Sequence, residues 1–438
     1  MVALPVCFIY FKLESTFRHV KSDPQIVTPT STKYGPRNLN FIYTIGCDGA
    51  SDATWQLLQS TVLDYSFLKV GQRGALTRII SGCVDNVEKQ KLMSQSLVPH
   101  ISVKFFPSAD QIEAGSGKKT YVQANRPTAL RAYFNSAEIA AADPSTIYIV
   151  LDPDFVFRKR ISDDVFDLVQ IGSFLTQKYS LSNPSNYAYE ACLEAFSMPP
   201  GNVTSAAKKK CEKIKDHRSF DKFYGGVPYI LLRNDWLKLL DYWIPLIGPV
   251  LQRYPGIESD MISWAIAAAG SGLTGNFRKD FMATCMSSHH VAVEVLSNQF
   301  FLHLCQSYYV GETRDEHYRV NPKHELPYIT SGSWNPGETH IYVFNKHWLK
   351  RSHLLDSCNT PLLILPPPLS EKSASVPYKW HHFVATEAVQ AYNDAVVAFR
   401  KKYLSCSSGN QRDASRGLVL HEIHRNRYNG GWNHAIDL

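Results

Sequence analysis

The amino-acid sequence predicts one large α/β domain with insertions, in which helices flank a mixed, mostly parallel β-sheet. The first half of the chain alternates strand-like apolar runs with segments of helical periodicity, in the order strand, helix, strand, strand, helix, strand. The chain has 438 residues, of which 44% are hydrophobic and 19% are charged. These values are typical of a folded globular protein and exclude a disordered or coiled-coil chain. We therefore expect a folded domain of enzyme size.

The predicted elements of the first half start near Asn38, after the Pro-, Ser- and Thr-rich segment TPTSTKYGPRN, which has the composition of a linker. Apolar runs indicate the strands, helical spacing of apolar residues indicates the helices, and Pro127 suits the first turn of the second helix. In chain order the elements are the strand LNFIYTIGC, the helix TWQLLQSTVLDYSFLKV, the strands ALTRIIS and ISVKFFPS, the helix RPTALRAYFNSAEIA and the strand TIYIVLDPD.

The second half is less regular. Residues 161–221 are polar and predict irregular structure, with a polar insertion at about 180–221 that is a candidate for acceptor recognition. The later predicted elements are a strand and an amphipathic helix in GGVPYILLRNDWLKLLDYWIPLI, a small-residue helix in SDMISWAIAAAGSGL, strands in QFFLHLC and HIYVFNKHW, and a helix in TEAVQAYNDAVVAFRKKYL. The predicted division is an N-terminal segment and linker at 1–37, the domain at 38–370, closed by a proline run, and a C-terminal helix with a loose tail at 371–438.

The charge and the N-terminal segment narrow the function classes. The formal net charge is +7 and is spread thinly, which favours anionic partners such as nucleotide phosphates and not nucleic acid. The run ALPVCFIYF has about nine apolar residues, whereas a spanning helix needs about 20. It also lacks the basic start and cleavage site of a signal peptide. No membrane anchor is therefore visible in this chain.

The nine cysteines include no C-x-x-C pair, which argues against a structural zinc site. Buried thiols, with one or two disulfides among them, are one interpretation. A bridged loop in an oxidising lumen is the other, because Cys192 and Cys211 flank the glycosylation sequon that begins at Asn202.

The segment IYIVLDPDFVF, residues 147–157, ends a buried strand with two aspartates, Asp152 and Asp154. Carboxylates at the carboxyl end of such a strand can hold Mg²⁺ or Mn²⁺, and the ion can bridge a substrate diphosphate. A turn in which one aspartate caps the next segment is the structural alternative. A third interpretation is a resemblance to the haloacid-dehalogenase phosphohydrolases, in which Asp152 would be the nucleophile and Asp154 the acid/base. The later acidic motif of that family is missing.

An ordered series of motifs resembles the plant-type hydroxyproline O-arabinosyltransferases and the related peptidyl-serine α-galactosyltransferases. The series is TWQ, LTRIIS, NRPTAL, YIVLDPDFVFRK, GGVPYILLRNDW, SDMISWAIAAAGSGL, RKDFM, FLHL, FNKHW and LPPPL, and it covers about residues 38–369. The resemblance implies a GT-A-like, Rossmann-type glycosyltransferase in the Golgi or endoplasmic-reticulum lumen. It would transfer arabinofuranose or galactose, with retention, from a UDP-sugar to a hydroxyl of hydroxyproline or serine in a secreted or cell-surface polypeptide. Mn²⁺ or Mg²⁺ would be its cofactor.

The resemblance also implies roles for individual residues. Asp152, Asp154 and His303 would be the metal ligands. The catalytic carboxylate that binds the hydroxyls of the donor sugar would be Asp260, and Glu258, two residues earlier, is a second candidate that could substitute for it. Asp260 stands in Asp-Met-Ile where the family has Glu-Met-Tyr, so the geometry of the sugar pocket differs. The donor-binding residues would be Thr44, Arg78, Asn125, Arg126, Asp152, Gly225, Gly226, Arg278, Lys279, Asp280, Lys346 and His347.

Each role has a structural alternative. Arg78 can form a salt bridge, His303 can be a core residue, and the paired glycines can serve a turn. The charged residues of RKDFM and FNKHW can be solvated surface groups. For the whole chain, the alternatives are the same fold with a different donor or acceptor, the phosphohydrolase, and a catalytically silent sugar-binding relative.

Overall fold

The computed structural model describes residues 37–47, 53–109, 124–179, 185–197, 204–215, 220–254, 259–283, 298–304, 308–310, 342–344, 346–366, 368 and 376–406. The described helices are α1 (Ala53–Lys69), α2 (Val87–Met93), α3 (Asn125–Phe134), α4 (Ala137–Ala140), α5 (Ser185–Phe196), α6 (Ser205–Cys211), α7 (Arg233–Arg253), α8 (Ser259–Gly270) and α9 (Val376–Tyr403). The described strands are β1 (Leu39–Gly46), β2 (Ala75–Ser81), β3 (Ser102–Phe106), β4 (Ile147–Leu151), β5 (Phe155–Phe157), β6 (Ser173–Lys178), β7 (Gly225–Leu232), β8 (Thr274–Arg278), β9 (Met282–Ala283), β10 (Phe301–His303), β11 (Tyr308–Val310) and β12 (Tyr342–Phe344).

The predicted fold class is confirmed. A seven-stranded sheet has the order β3-β2-β1-β4-β7-β6-β8, and all neighbours are parallel except β7, which is antiparallel to β4 and β6. The first four strands have the 3-2-1-4 order of a doubly wound nucleotide-binding sheet. Because β7 alone runs backwards, the carboxyl ends of the other six strands meet at one edge, which we call the carboxyl edge.

Helices cover both faces of this sheet, as the alternation of side chains in β1 shows. Phe41 packs edge-on against Phe67 of α1, with ring centroids 5.5 Å apart. Asn40, the preceding residue, points to the other face and donates a hydrogen bond to the Tyr133 hydroxyl of α3 at 2.9 Å. On that second face, Phe134 stacks on Trp236 of α7. The core therefore lies in two layers, one on each side of the sheet.

The prediction of irregular structure for residues 161–221 was wrong in part. The strand β6 lies inside this segment and occupies the sheet between β7 and β8, and α5 and α6 follow it. β6 escaped detection because its inward residues include the buried polar pair Thr176 and Gln177, which break the apolar pattern of a strand. The predicted helix at 126–140 is two helices, since the chain turns at Asn135 and Ser136 between α3 and α4.

Disulfides join Cys47 to Cys83, Cys192 to Cys211 and Cys358 to Cys406 in the described part of the chain. The second confirms the bridge between α5 and α6 that the sequence suggested, although the sequon at Asn202 lies outside the described residues. So do the N-terminal apolar run, most of the linker and the tail beyond residue 406. Among the described helices, no segment combines the length and apolar character needed to cross a bilayer.

Candidate metal centre

The carboxyl edge of the sheet carries Asp152 and Asp154 directly after β4, where the turn Asp152–Asp154 leads into β5. β5 belongs to a second, three-stranded sheet with the order β5-β10-β9. In that sheet His303 pairs with Phe155, the residue after Asp154, and the backbone N–H of Leu304 donates to the Asp154 carbonyl at 3.3 Å. The pairing of β5 with β10 therefore brings a histidine from late in the chain to the two aspartates.

The three residues predicted as metal ligands form one group. Asp152, Asp154 and His303 each offer a ligand atom, and these atoms lie within 4.8 Å of one another. Nε2 of His303 is 3.5 Å from a carboxylate oxygen of Asp152 and 3.6 Å from one of Asp154. The other ring nitrogen, Nδ1, is buried and has no hydrogen-bond partner in the described part of the chain. The imidazole ring therefore presents its Nε2 edge to both carboxylates.

Asp154 carries the strongest electrostatic perturbation in this group. Its side chain is nearly buried and forms an ion pair with Lys346, from the 3₁₀ turn Lys346–Arg351. Burial alone would raise the pKa of Asp154, but the Lys346 ammonium and His303 outweigh it, so its pKa lies well below the usual range. Asp154 is therefore ionised at neutral pH and already has a positive charge beside it.

Arg126, in the first turn of α3, joins Asp152 to the helix α8. Its guanidinium forms an ion pair with Asp152 and a second one with Asp260, the latter at 3.2 Å. Burial raises the pKa of Asp260 to about 6; Arg126 lowers it and the charge of Asp152 raises it further. Asn125, the residue before Arg126, accepts a hydrogen bond from the backbone N–H of Ala109 at 2.7 Å. It thus anchors the start of α3.

The chemistry of this group fits a divalent cation. Two carboxylates and an imidazole are ligands that suit Mn²⁺, and carboxylate oxygens suit Mg²⁺ as well. The Lys346 ammonium against Asp154 marks a position where the protein stabilises positive charge. Asp152, Asp154 and His303 would therefore hold the ion, and Arg126 would fix the orientation of Asp152 from outside.

The structure does not bring Arg78 into this group. Arg78 is fully buried and pairs with Asp64 of α1 at 2.6 Å. Its remaining nitrogens donate to the Tyr43 hydroxyl and to the carbonyls of Met93 and Gln95 at 2.5–2.8 Å. The predicted donor-binding role of Arg78 is therefore corrected: the salt-bridge alternative describes it, with α1 as the partner element.

The glycine pair at the start of β7 is explained by packing. A Cβ atom on Gly226 would lie 1.7 Å from a ring carbon of Tyr179, and one on Gly225 would lie 2.4 Å from Cγ2 of Thr176. Thr176 of β6 and Tyr179, the residue after β6, fill this space, so a nearby sugar is not needed to explain the two glycines. Thr44 lies in β1, where it pairs with Ile79 of β2, and is 9% exposed.

The RKDFM residues lie apart from the metal group. Arg278 ends β8, and β7 and β6 separate β8 from β4, which is roughly 14 Å at about 4.8 Å per strand. The Arg278 guanidinium forms a two-pronged pair with Asp280, at 2.8 and 2.6 Å, and the Lys279 carbonyl accepts a bond from Gln177 at 3.4 Å. Glu258 and the side chain of His347 lie outside the described residues, so their predicted roles stay predictions.

Sequence reasoning missed Tyr229 in β7, a fully buried residue whose hydroxyl has no hydrogen-bond partner in the described part of the chain. Its ring stacks on Trp264 of α8, with centroids 4.1 Å apart. Nothing in the apolar run GGVPYILL distinguishes Tyr229 from a core residue. The partner of Arg78 did carry a signal, because Asp64 is a charged residue within an apolar helix pattern and requires a buried cation.

No protein-family model matches this sequence, and neither does any curated protein. Among solved structures, the apo structure of the bifunctional glycosyltransferase WbbM is similar over 62% of this chain and 47% of its own, with 10% identity and a TM-score of 0.32. The present chain thus spans about half the length of that protein. A similarity at this level does not tell what this chain binds. What the structure itself shows is a mixed α/β fold with an Asp-Asp-His group that can hold a metal ion.

Proposed function

We propose that this chain is a metal-dependent glycosyltransferase that uses a UDP-sugar donor. The observation that carries the proposal is the group of Asp152, Asp154 and His303 at the carboxyl edge of a Rossmann-like sheet. Nucleotides bind at this edge in α/β sheets because the loops and side chains that follow the strands converge there. A UDP leaving group needs its charge neutralised, and this group lies where that charge would develop.

The chain's own residues supply the rest of the electrostatics. When bound, the ion would neutralise the diphosphate and stabilise the departing UDP. Arg126 holds one face of Asp152 and turns its second oxygen toward His303. Lys346 contacts Asp154 through a flexible stem, so its ammonium can turn from the carboxylate to a phosphate oxygen of the donor. Together these residues position the donor and stabilise the leaving group without covalent catalysis.

Asp260 is the candidate for the sugar side of this site. It lies in the first turn of α8, within reach of the Arg126 guanidinium that also holds Asp152. A carboxylate beside the metal group can accept hydrogen bonds from the hydroxyls of the donor sugar. Because the pKa of Asp260 is about 6, the group is mostly ionised at pH 7 and able to do so.

The finer proposal is that the sugar is arabinofuranose or galactose and that the acceptor is a hydroxyl of hydroxyproline or serine in a secreted or cell-surface polypeptide. The ordered motifs from TWQ to LPPPL support it, as does the spatial convergence of the FLHL histidine, the FNKHW lysine and the aspartates. We further propose retention at the anomeric carbon and a Golgi or endoplasmic-reticulum lumen location. The disulfides support an oxidising compartment.

The test is UDP release by the purified protein across a panel of UDP-sugars, with Mn²⁺ or with EDTA, for the wild type and Asp154→Ala. We expect metal-dependent release from one donor and a loss of at least about a thousandfold in the variant. Asp394→Ala is a matched control, because Asp394 pairs with the exposed Lys69 and Asp394 is not one of the three predicted metal ligands. Equal release from wild type and Asp154→Ala, or none from any donor with acceptor peptides present, would overturn the proposal. Release of inorganic phosphate without a sugar donor would instead favour the phosphohydrolase.

A further inference from the structure

Tyr229 holds a buried hydroxyl beside the charged residues of the candidate site. It lies in β7 directly opposite Val150 of β4, two residues before Asp152. Its ring stacks nearly parallel on Trp264, with an interplanar angle of 7°, and Trp243 meets the ring edge-on at 6.0 Å. These two tryptophans fix the ring between the sheet and the helices α7 and α8. The hydroxyl therefore has a defined position.

The position of that hydroxyl follows from its neighbours. Trp264 lies four residues after Asp260 in α8, so both residues lie on the same side of this helix. The ring stacked on Trp264 thus lies beside the turn that carries Asp260. Burial raises the pKa of Tyr229, and the charges of Asp260, Arg126 and Asp152 all act on the same hydroxyl. Strand pairing, ring stacking and electrostatics place the hydroxyl next to the carboxylates of the site.

A buried hydroxyl in this position needs a hydrogen-bond partner. Tyr229 is 0% exposed, and its oxygen has no hydrogen-bond partner among the described residues. Buried polar groups in folded proteins are nearly always hydrogen-bonded, because leaving one unsatisfied costs free energy. A phenylalanine would fill the same space and stack on Trp264 without that cost. The hydroxyl can therefore bond a polar group that a substrate brings to the site.

We infer that the Tyr229 hydroxyl hydrogen-bonds a hydroxyl group of the donor sugar beside Asp260, and so helps this protein to select its sugar. The inference rests on the proposed function. It gives the sugar pocket a second polar group where the sequence offers Asp-Met-Ile and no aromatic residue next to Asp260. Asp260 would accept from one sugar hydroxyl, and Tyr229 would donate to or accept from a neighbouring one.

The experiment compares wild type, Tyr229→Phe and the control Tyr148→Phe. Tyr148 is also a buried tyrosine of the sheet, but it pairs with Leu231 further from the carboxyl edge. Three quantities are measured: the thermal midpoint Tm, the Kd of UDP with Mn²⁺, and kcat/KM for donors that differ at one hydroxyl, such as UDP-galactose and UDP-glucose. UDP alone lacks the sugar, so its Kd reports the nucleotide site separately.

In Tyr229→Phe we expect an unchanged or higher Tm, a UDP Kd within about twofold, and a loss of about tenfold in kcat/KM for the preferred donor. The preference between the two donors should fall with it, whereas Tyr148→Phe should keep both values. Unchanged kcat/KM and unchanged preference in Tyr229→Phe would overturn the inference. A marked fall in Tm in this variant would overturn it too, because it would show that the hydroxyl has a partner within the folded chain. UDP that binds to the wild type without turnover of any donor would overturn the proposed function and this inference with it.

Discussion

Arg78 and Arg126 each lie in a cluster of charged side chains, and the two clusters differ in how fully their charges are balanced. Arg78 is matched within the core by one carboxylate, Asp64, and that carboxylate also accepts bonds from Tyr43 and Ser96. Among the described residues, Arg126 lies in a group where three carboxylates, Asp152, Asp154 and Asp260, face two cations, Arg126 itself and Lys346. The first group closes on itself and stabilises the fold, whereas the second retains negative charge that a cation can neutralise.

The largest expected effect on stability is at the buried pair of Arg78 and Asp64. Arg78→Met leaves Asp64 buried without its cation, which should lower the free energy of unfolding by about 3–5 kcal/mol. Urea denaturation measures this loss, and Mn²⁺ should not reduce it. Adding Asp64→Leu to the same chain should restore part of the stability, because no buried charge then remains unpaired. A loss below about 1 kcal/mol for Arg78→Met would remove the distinction between the two groups.

A smaller loss of stability, which metal should reverse, is expected in the group that contains Asp154 and Lys346. Lys346→Met leaves Asp154 without its ammonium and should cost about 3 kcal/mol without metal. Saturating Mn²⁺ supplies the missing charge, so the rise in Tm on adding Mn²⁺ should be larger in the variant than in the wild type. Lys69→Met, which removes an exposed partner of Asp394, is the control and should alter neither value. An equal Mn²⁺ effect in wild type and Lys346→Met would mean that the ammonium and the ion do not share a position.

The smallest effect concerns pH. Because the pKa of Asp260 is about 6, kcat/KM for the donor should fall about tenfold per pH unit below that value if the ionised form binds the sugar. The folded-state pKa lies above the unfolded value of a carboxyl, so stability should change in the opposite sense. The contribution of Asp260 should decrease by about 2–3 kcal/mol as pH rises from about 4 to about 6.

Asp260→Asn is the reference for both readouts. In this variant kcat/KM should lose its dependence on pH below about 6, and the fall in stability between pH 4 and pH 6 should be smaller by about 2–3 kcal/mol. A wild type and an Asp260→Asn variant with the same pH profile would exclude Asp260 as the titrating group.

The apolar strands of the sheet could be predicted from the sequence, whereas the polar strand β6 could not. Strands such as β1 and β4 are almost entirely buried and mostly apolar, so their composition identifies them. β6 was missed because a strand that buries Thr176 and Gln177 looks polar, although Thr176 donates to the Gly226 carbonyl and Gln177 accepts from the backbone of Phe281. Polar residues that bond to the backbone of the fold cannot be told from solvent-exposed ones without the contacts.

The same limit applies to the candidate site. Asp152 and Asp154 stand out because charge interrupts an apolar strand, and a motif resemblance pointed to His303. For Arg78 the sequence left both a donor-binding role and a salt bridge open. Asp64 indicated a buried cation, but only the folded chain shows that this cation is Arg78. The sequence does not single out Tyr229. What makes this residue notable is that its hydroxyl has no hydrogen-bond partner among the described residues, which only the folded chain shows.

The helix α9 packs against α1 and β11, close to Asp154. Its Tyr392 is buried against Phe344, and the charge of Asp154 reaches the Tyr392 hydroxyl. Arg158, just after β5, also pairs with Glu387 of this helix. During synthesis the aspartates leave the ribosome long before α9 and the lysine that neutralises one of them. The nascent chain therefore carries an incomplete site until both Lys346 and α9 have been made. A protein shortened at the proline run would keep Lys346 but lack α9, and with it the contacts of Tyr392 and Glu387.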